Sequence, residues 1–153
     1  MSMADGCNLY GRFDIEIVNA ATGRILRRLH VKNRLTEINR TVRAQMLMGS
    51  YTGALDALEI KSFAFGTDAT AADPSQTSLF AEQFRKALTQ KSLNGGNVTT
   101  VVSLQTNEAN FIIREIGVFG GSDGTTMLAR TVVNIDKNDS LVINITRSDI
   151  CEI

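Results

Sequence analysis

The chain has 153 residues, a length that fits one domain with a single core. Sixteen lysine and arginine residues balance sixteen acidic ones, so the sequence lacks the excess positive charge with which nucleic-acid-binding proteins neutralise phosphates. Its apolar runs are a few residues long, far short of the roughly 20 that a helix needs to cross a bilayer. We therefore expect no nucleic-acid partner and no association with a membrane.

The first third of the sequence predicts a β-hairpin and then one helix. In "RFDIEIV", residues 12–18, apolar and charged side chains alternate with the two-residue period of a half-buried strand. The turn "NAATG", residues 19–23, leads into a return strand over about residues 24–31. Apolar residues then recur at helical spacing on one face of a helix that ends near Gly49, and these are Leu35, Ile38, Val42 and Met46.

The middle of the chain is less uniform. "LEIKSFAFGTD" predicts a strand that ends at Gly66. "TDATAADPSQTSL" is a long polar connection that contains the only proline, and such loops tend to form contacts or carry function. "SLFAEQFRKALTQKS" fits one helical face as well as it fits an extended strand, so both interpretations stay open.

From Asn94 onward, four β runs are separated by turns rich in Gly, Asn and Asp, which is typical of an antiparallel sandwich. No linker or internal repeat divides the chain. We therefore predict a single domain over residues 1–153. Its fold class is mainly β: an antiparallel, jelly-roll-like β-sandwich with an N-terminal β-hairpin and one main α-helix.

The residue types needed for catalysis or metal binding are sparse. His30 is the only histidine, and the nearest acid in sequence that could orient it is Glu37. No serine lies in a nucleophile elbow, and the glycine-rich turns lack the lysine of a P-loop. Cys7 and Cys151 lie at opposite ends of the chain, and we expect free thiols. The sequence therefore predicts no catalytic residue, no metal site and no cofactor.

A charged pair, Arg114 and Glu115, interrupts the apolar run "FIIREIGVF". Strict alternation puts Glu115 on the face of Phe111, Ile113, Gly117 and Phe119, which we take as the core side. A buried carboxylate needs a partner, because an isolated one costs several kcal/mol. We predict a structural ion pair between Glu115 and Arg85, which lies in the preceding "FAEQFRK" segment.

The opposite face of the same run is unusually apolar for a solvated strand. It would carry Ile112, Arg114, Ile116 and Val118. A second sheet, the helix or a neighbouring subunit would have to cover such a face. We predict that these four residues form a contact with another subunit or partner protein.

Three segments resemble proteins of tailed-bacteriophage virions, in the family's order. "VKNRLTEINRTVRAQMLMGS" resembles the opening "K-N-x-[IL]-T-x-x-[GN]" and the helix that follows. "FAFGTDATAADPSQTSLFAEQFRK" resembles the segment "ALGTG…P…TxLxxExxR". "ANFIIREIGVFGGSDGTTMLARTVVNIDKNDSLVINIT" is similar to the ending "F-x-I-R-E-I-G-L-F…G-x-L-x-A-R…K-x-x-x-x-L-x-I", also seen in tail-collar fibre proteins. The resemblance covers residues 31–146, with Asp68 and Asn39 at positions where the family often has glycine.

The resemblance implies a structural subunit of a bacteriophage or prophage particle that is not an enzyme. It would be a tail, baseplate or fibre-attachment component, made in the cytoplasm of the bacterial host and located in the virion tail or baseplate. Its partners would be further copies of itself, in a homo-oligomer, and other virion proteins of the tail, baseplate or fibre. A head-decoration or collar protein and a carbohydrate-binding module for the host surface are the alternatives.

Overall fold

The computed structural model describes residues 8–54 and 56–152, with only the backbone of residues 8–9 and 151–152. Cys7 and the side chain of Cys151 lie outside this description, so free thiols stay a prediction. The elements in chain order are β1 (Asn8–Asn19), β2 (Ile25–Leu35), α1 (Glu37–Met48), β3 (Ile60–Gly66), β4 (Glu82–Ala87), β5 (Gln90–Asn94), β6 (Asn97–Leu104), β7 (Ile112–Gly120), β8 (Thr126–Asp136) and β9 (Leu141–Glu152). No helix in the described residues is long and apolar enough to span a membrane.

The predicted N-terminal hairpin is confirmed, since β1 and β2 pair in antiparallel orientation. The side-chain oxygen of Asn19 accepts hydrogen bonds from the amides of Ala21 and Thr22, at 3.0 and 3.1 Å. Gly23 follows with a φ of 72°, which favours glycine. The turn residues named from sequence therefore shape the hairpin through an Asx turn.

The predicted helix is also confirmed, and both of its ends have a local cause. Thr36 is the N-cap, and its hydroxyl accepts a hydrogen bond from the amide of Asn39. At the other end, Gly49 adopts a left-handed φ of 68° and donates its amide to the carbonyl of Met46. The helix therefore ends at the glycine that the sequence indicated.

The ambiguous segment after the long loop is extended. β4 pairs with β3, and β5 pairs with β6, both in antiparallel orientation. Phe84 on β4 packs against Phe65 on β3, with ring centroids 6.4 Å apart. Pairing with distant strands and aromatic packing make this segment extended, although its local sequence pattern fits a helix equally well.

The nine strands of the described residues belong to one antiparallel sheet, in the order β4-β3-β7-β8-β2-β1-β9-β6-β5. The sheet curls so that distant strands enclose one core, and Phe13 on β1 meets Phe63 on β3 edge to face, with centroids 5.7 Å apart. The mainly β, antiparallel class is confirmed. The finer jelly-roll sandwich stays a prediction, because the strands are hydrogen-bonded in a single sheet.

Candidate functional site

Glu115, one of the two charged residues on β7, belongs to a fully buried ion pair. Glu115 Oε2 lies 2.9 Å from Nε of Arg130 on the neighbouring strand β8, and the two side chains are 0% and 1% exposed. Two backbone amides also donate to the carboxylate, Ala81 to Oε1 at 2.8 Å and Phe80 to Oε2 at 3.2 Å. Glu115 therefore binds both Arg130 and the backbone at the end of the long loop.

Arg130 binds the beginning of the same loop. Its Nη1 donates to the carbonyl of Thr70 at 2.6 Å, and its Nη2 donates to the carbonyl of Asp68 at 3.3 Å. The guanidinium also lies over the ring of Phe80, 4.9 Å from its centroid. We call Glu115, Arg130 and these four loop backbone groups the loop anchor. Because each nitrogen of the guanidinium and each oxygen of the carboxylate has a partner, the pair is suited to holding backbone rather than to reacting.

Two glycines make room for the loop anchor and for the side chain of Leu79 in the loop. A Cβ atom on Gly66 would lie 2.3 Å from Glu115 Oε1 and 2.5 Å from the carbonyl oxygen of Ala81. A Cβ atom on Gly117 would lie 2.8 Å from the side chain of Leu79. Leu79 packs in a small cluster beneath the loop, together with Ala64, Phe119 and Met127. Both glycines of the motifs "FAFG" and "REIGVF" therefore permit close approach of the loop to the sheet.

The loop and helix α1 are joined to each other and to β8. The amide of Glu37 donates to the carbonyl of Pro74 at 2.8 Å. The hydroxyl of Thr36 donates to the carbonyl of Met127, and the side-chain amide of Asn39 donates to that of Leu128, both at 2.9 Å. The loop anchor and these bonds fix where the loop and the start of α1 lie on the sheet.

Two acidic side chains within the loop hold its internal turns. The hydroxyl and amide of Thr70 hold the pKa of Asp68 below its ordinary value, and the charge of Arg130 acts in the same direction. The hydroxyl and amide of Ser75 likewise lower the pKa of Asp73. Both carboxylates are therefore charged at neutral pH and act as turn-forming acceptors.

The predicted partner of Glu115 requires correction. The structure pairs Glu115 with Arg130, whereas Arg85 lies 2.6 Å from Glu82 and its guanidinium covers the ring of Phe119. The reason is strand order: β8 adjoins β7 directly, but β4, which carries Arg85, lies two strands away beyond β3. Sequence did contain a signal, since Arg130 is the one charged residue in the β8 run "TMLARTVVNI".

The predicted contact face also requires correction. Ile116 and Val118 are 0% exposed and lie in the main core of this chain, while Ile112 and Arg114 keep partial exposure. A register irregularity with β8 between Ile113 and Glu115 breaks the strict alternation from which the faces were derived. Ile116 and Val118 are thus unavailable to a second subunit, and only Ile112 and Arg114 remain candidates.

Helix α1 presents apolar side chains to solvent. Leu47 and Met48 are 86% and 82% exposed, and Ile38 and Met46 are also exposed. Only Asn39 is buried among the residues of the helix. We call the three of these residues that are consecutive in the last turn, Met46, Leu47 and Met48, the helix surface. Sequence predicted the helix but not that its apolar residues would face away from the sheet.

His30 is paired with an acid other than the one expected from the sequence. His30 Nδ1 lies 2.5 Å from Asp14 Oδ1, on the strand opposite, so its acidic neighbour is Asp14 rather than Glu37. The imidazole is largely exposed, at 67%. Among the side chains that the structure describes, those of residues 10–54 and 56–150, no three of His, Cys, Asp or Glu are grouped so that they could hold a metal ion.

Comparison with known proteins places these features in a family. A family model described as phage tail-collar fibre protein, N-terminal, matches residues 35–142. The match covers more than half of the chain and includes helix α1, the long loop and both members of the buried ion pair. No curated protein and no solved structure matches the chain.

Proposed function

The chain belongs to the phage tail-collar fibre protein family, and from that premise we propose that it is a self-associating structural subunit at the baseplate or fibre-attachment region of the tail. Family membership makes it a structural component of a bacteriophage tail. The proposal adds that it assembles as a homo-oligomer, contacts other tail, baseplate or fibre proteins, and has no enzymatic activity of its own.

The helix surface is the observation that carries this proposal. A helix on a folded domain usually turns its apolar side chains towards the core. Helix α1 instead contacts β8 through Thr36 and Asn39 and leaves Leu47 and Met48 almost fully exposed. A group of exposed apolar side chains of this kind is typical of an interaction surface. The hydrogen bonds of Thr36 and Asn39 to β8 fix the start of the helix, which favours a defined contact over a flexible one.

Charge and symmetry favour another copy of the chain as one occupant of this surface. The formal net charge is zero, so copies do not repel one another through long-range electrostatics. Tail assemblies repeat their parts around an axis, and symmetry repeats a modest apolar contact at each subunit. Ile112 and Arg114 stay candidates for a second contact.

The absence of enzymatic activity is proposed on the chemistry of the buried charges. The buried pair Glu115 and Arg130 is the kind of ionisable group that an active site would use. Here each of its polar side-chain atoms binds a protein group of the same chain. The pair therefore holds the loop in place on the sheet.

Labelling of purified phage particles tests the location. An antibody raised against the chain and coupled to gold should mark the end of the tail in electron micrographs, and excess free protein should remove the label. Gold on the capsid or at the neck would contradict the proposal and favour the head-decoration or collar alternative. Unlabelled particles that also lack the chain by mass spectrometry would contradict a role in the virion.

A further inference from the structure

A groove runs between helix α1 and the strands beside it. Its volume is about 440 Å³, which lies within the usual range of binding pockets. The strand side is formed by the end of β2, with Arg34 and Leu35, and by Tyr10 near the start of β1. The helix provides the opposite side.

One face of the helix forms that opposite side. Arg40, Arg43, Ala44 and Leu47 line the groove, and their spacing of three and four residues places them on the same face. The helix is bound to β8 near its start, through Asn39, which is its only buried residue. Residues 44–48 are all exposed. The second half of the helix therefore leaves the groove accessible.

The groove presents apolar surface. Leu35, Ala44 and Leu47 have only apolar side-chain atoms, and Tyr10 is the aromatic residue beside them. Leu47 also belongs to the helix surface, so the groove and the helix surface are continuous. Apolar side chains that enter the groove would be removed from water together with Leu47. An apolar groove beside a helix is a common docking site for a short segment of another protein.

The charged residues that line the groove are all arginines. None of the described residues that line it is acidic, and the basic ones are Arg34, Arg40 and Arg43. Arg40 is exposed and has no salt bridge among the described residues, although Glu37 lies three positions before it. Lys32 adds a further cation nearby, since its Nζ lies 4.6 Å from the centroid of the Tyr10 ring. The groove therefore favours negatively charged partners.

Two acids near these arginines are already bound by other groups. Asp149 lies 3.5 Å from Nη2 of Arg43, but its second oxygen accepts a hydrogen bond from the buried Arg147. Two guanidinium groups thus share one carboxylate, which leaves a net positive charge. Asp73 attracts Arg34, but its carboxylate binds the amide and hydroxyl of Ser75. The positive charge of the groove is therefore only partly balanced within the described part of the chain.

We propose that this groove binds an acidic amphipathic segment of a neighbouring tail protein. Its large apolar side chains would lie against Leu35, Ala44 and Leu47. Its carboxylates would pair with Arg34 and Arg40, whose guanidinium groups can each engage both oxygens of one carboxylate. The identity of the partner as a tail protein rests on the proposed function, whereas the chemistry of the segment rests on the groove. A nucleic acid matches less well, because its phosphates would pair with the arginines and leave the apolar surface uncovered.

Binding of short labelled peptides to the full chain tests the proposal. The probe is a capped, fluorescein-labelled peptide of three Glu-Glu-Leu repeats, and the signal is its fluorescence anisotropy. Two peptides with the same label are the references, one with three Gln-Gln-Leu repeats and one with three Glu-Glu-Ser repeats. The Glu-Glu-Leu peptide should bind with a saturating curve at concentrations at least about tenfold lower than either reference, because it alone offers both charge and apolar surface. Sodium chloride should weaken its binding.

A pair of matched variants locates the peptide in the groove. Ala44→Glu places a carboxylate and a longer side chain in the groove, so it should weaken binding of the Glu-Glu-Leu peptide at least about tenfold. Gln45→Glu is the control, because it adds the same charge at the next residue, which is exposed and does not line the groove. It should change binding less than about twofold.

A second pair measures the contribution of one arginine. Arg40→Gln should weaken binding about threefold, the effect of losing one exposed ion pair. Arg24→Gln is its control and should leave binding unchanged, because Arg24 follows the hairpin turn at the opposite end of β1 from Tyr10. Both arginines are exposed, so both variants should keep the melting temperature of the unchanged chain.

The proposal is overturned if the Glu-Glu-Leu peptide shows no saturating binding, if either reference binds as tightly, or if Ala44→Glu binds the peptide as tightly as the unchanged chain. A fluorescein-labelled oligothymidine that binds as tightly as the peptide would also overturn it, in favour of a general anion-binding surface. The proposed function is tested separately. A chain that self-associates but binds no peptide contradicts only the role of the groove, and a monomer that binds the peptide contradicts only self-association.

Discussion

Every oxygen of the Glu115 carboxylate and every nitrogen of the Arg130 guanidinium has a hydrogen-bond partner in the protein in place of water. A buried ion pair stabilises a protein only when its remaining donors and acceptors are also satisfied. Here those partners are backbone groups of the loop at residues 68, 70, 80 and 81. The pair therefore links the stability of the sheet to the position of the loop.

Glu115→Gln should lower the free energy of unfolding by about 3 kcal/mol, because it leaves the Arg130 charge buried without a counter-charge. Glu82→Gln is the matched control. It removes the carboxylate that pairs with Arg85 at the surface, and it should cost less than about 1 kcal/mol. Urea denaturation at a fixed protein concentration measures both values. An equal decrease in the free energy of unfolding in the two variants would contradict a buried, stabilising role for Glu115 and a surface role for Glu82.

A double-mutant cycle separates the true partner of Glu115 from the one predicted by sequence. Glu115→Gln combined with Arg130→Met should show a coupling energy of about 1–3 kcal/mol, because the two side chains are in direct contact. The same change combined with Arg85→Met should be additive within about 0.5 kcal/mol. A larger coupling with Arg85 than with Arg130 would contradict the observed pairing.

The need for a partner for Glu115 could be predicted from sequence, but its identity could not. An acid within an apolar β run requires compensation wherever the strand lies. Which cation supplies it depends on which strand is adjacent, and that is a property of the whole sheet. Arg147 on β9 shows the same limit, since this charged residue is 1% exposed and the residues around it come from β1, β2 and β6.

The loop at residues 67–81 depends on close backbone approach as well as on charge. Gly66→Ala should destabilise the protein by about 1–3 kcal/mol, because the new methyl group would meet both the Glu115 carboxylate and a loop carbonyl. Gly96→Ala is the control, since a Cβ atom there meets nothing within 4 Å and its φ is not positive.

Limited digestion with thermolysin measures the effect of Gly66→Ala on the loop itself. Cleavage between residues 67 and 81, followed by mass spectrometry, should become faster in Gly66→Ala and stay unchanged in Gly96→Ala. If Gly66→Ala lowers stability while the loop keeps its resistance to cleavage, the loop is held by contacts other than the loop anchor.

At the scale of elements, local signals identified some structures and not others. Helix α1 has both a periodic pattern and a glycine at its end, so its extent could be predicted. The segment that forms β4 fits a helical face through Leu79, Phe80, Phe84 and Leu88, and only pairing with β3 makes it a strand. The outward face of α1 could not be derived either, because it depends on where β8 and the loop hold the helix.

At the scale of the whole molecule, the nine described strands form one curled sheet around one main core. A single domain over residues 1–153 stays a prediction. The alternation of apolar and polar residues along the strands could be predicted from the sequence. The curl of the sheet, which buries Ile116 and Val118, could not. With those residues buried, the helix surface becomes the principal candidate for assembly. Self-association through that surface is the central claim of the proposed function.

Light scattering behind a sizing column measures this claim most directly. The unchanged chain should have a mass of at least twice 16.7 kDa, at a whole-number multiple of that value. Leu47→Lys combined with Met48→Lys should reduce it towards 16.7 kDa, because two charges would be buried in the contact. Leu26→Lys, at another exposed apolar residue, should keep the mass of the unchanged chain. A monomeric unchanged chain at all concentrations, or a helix variant with undiminished mass, would contradict the account.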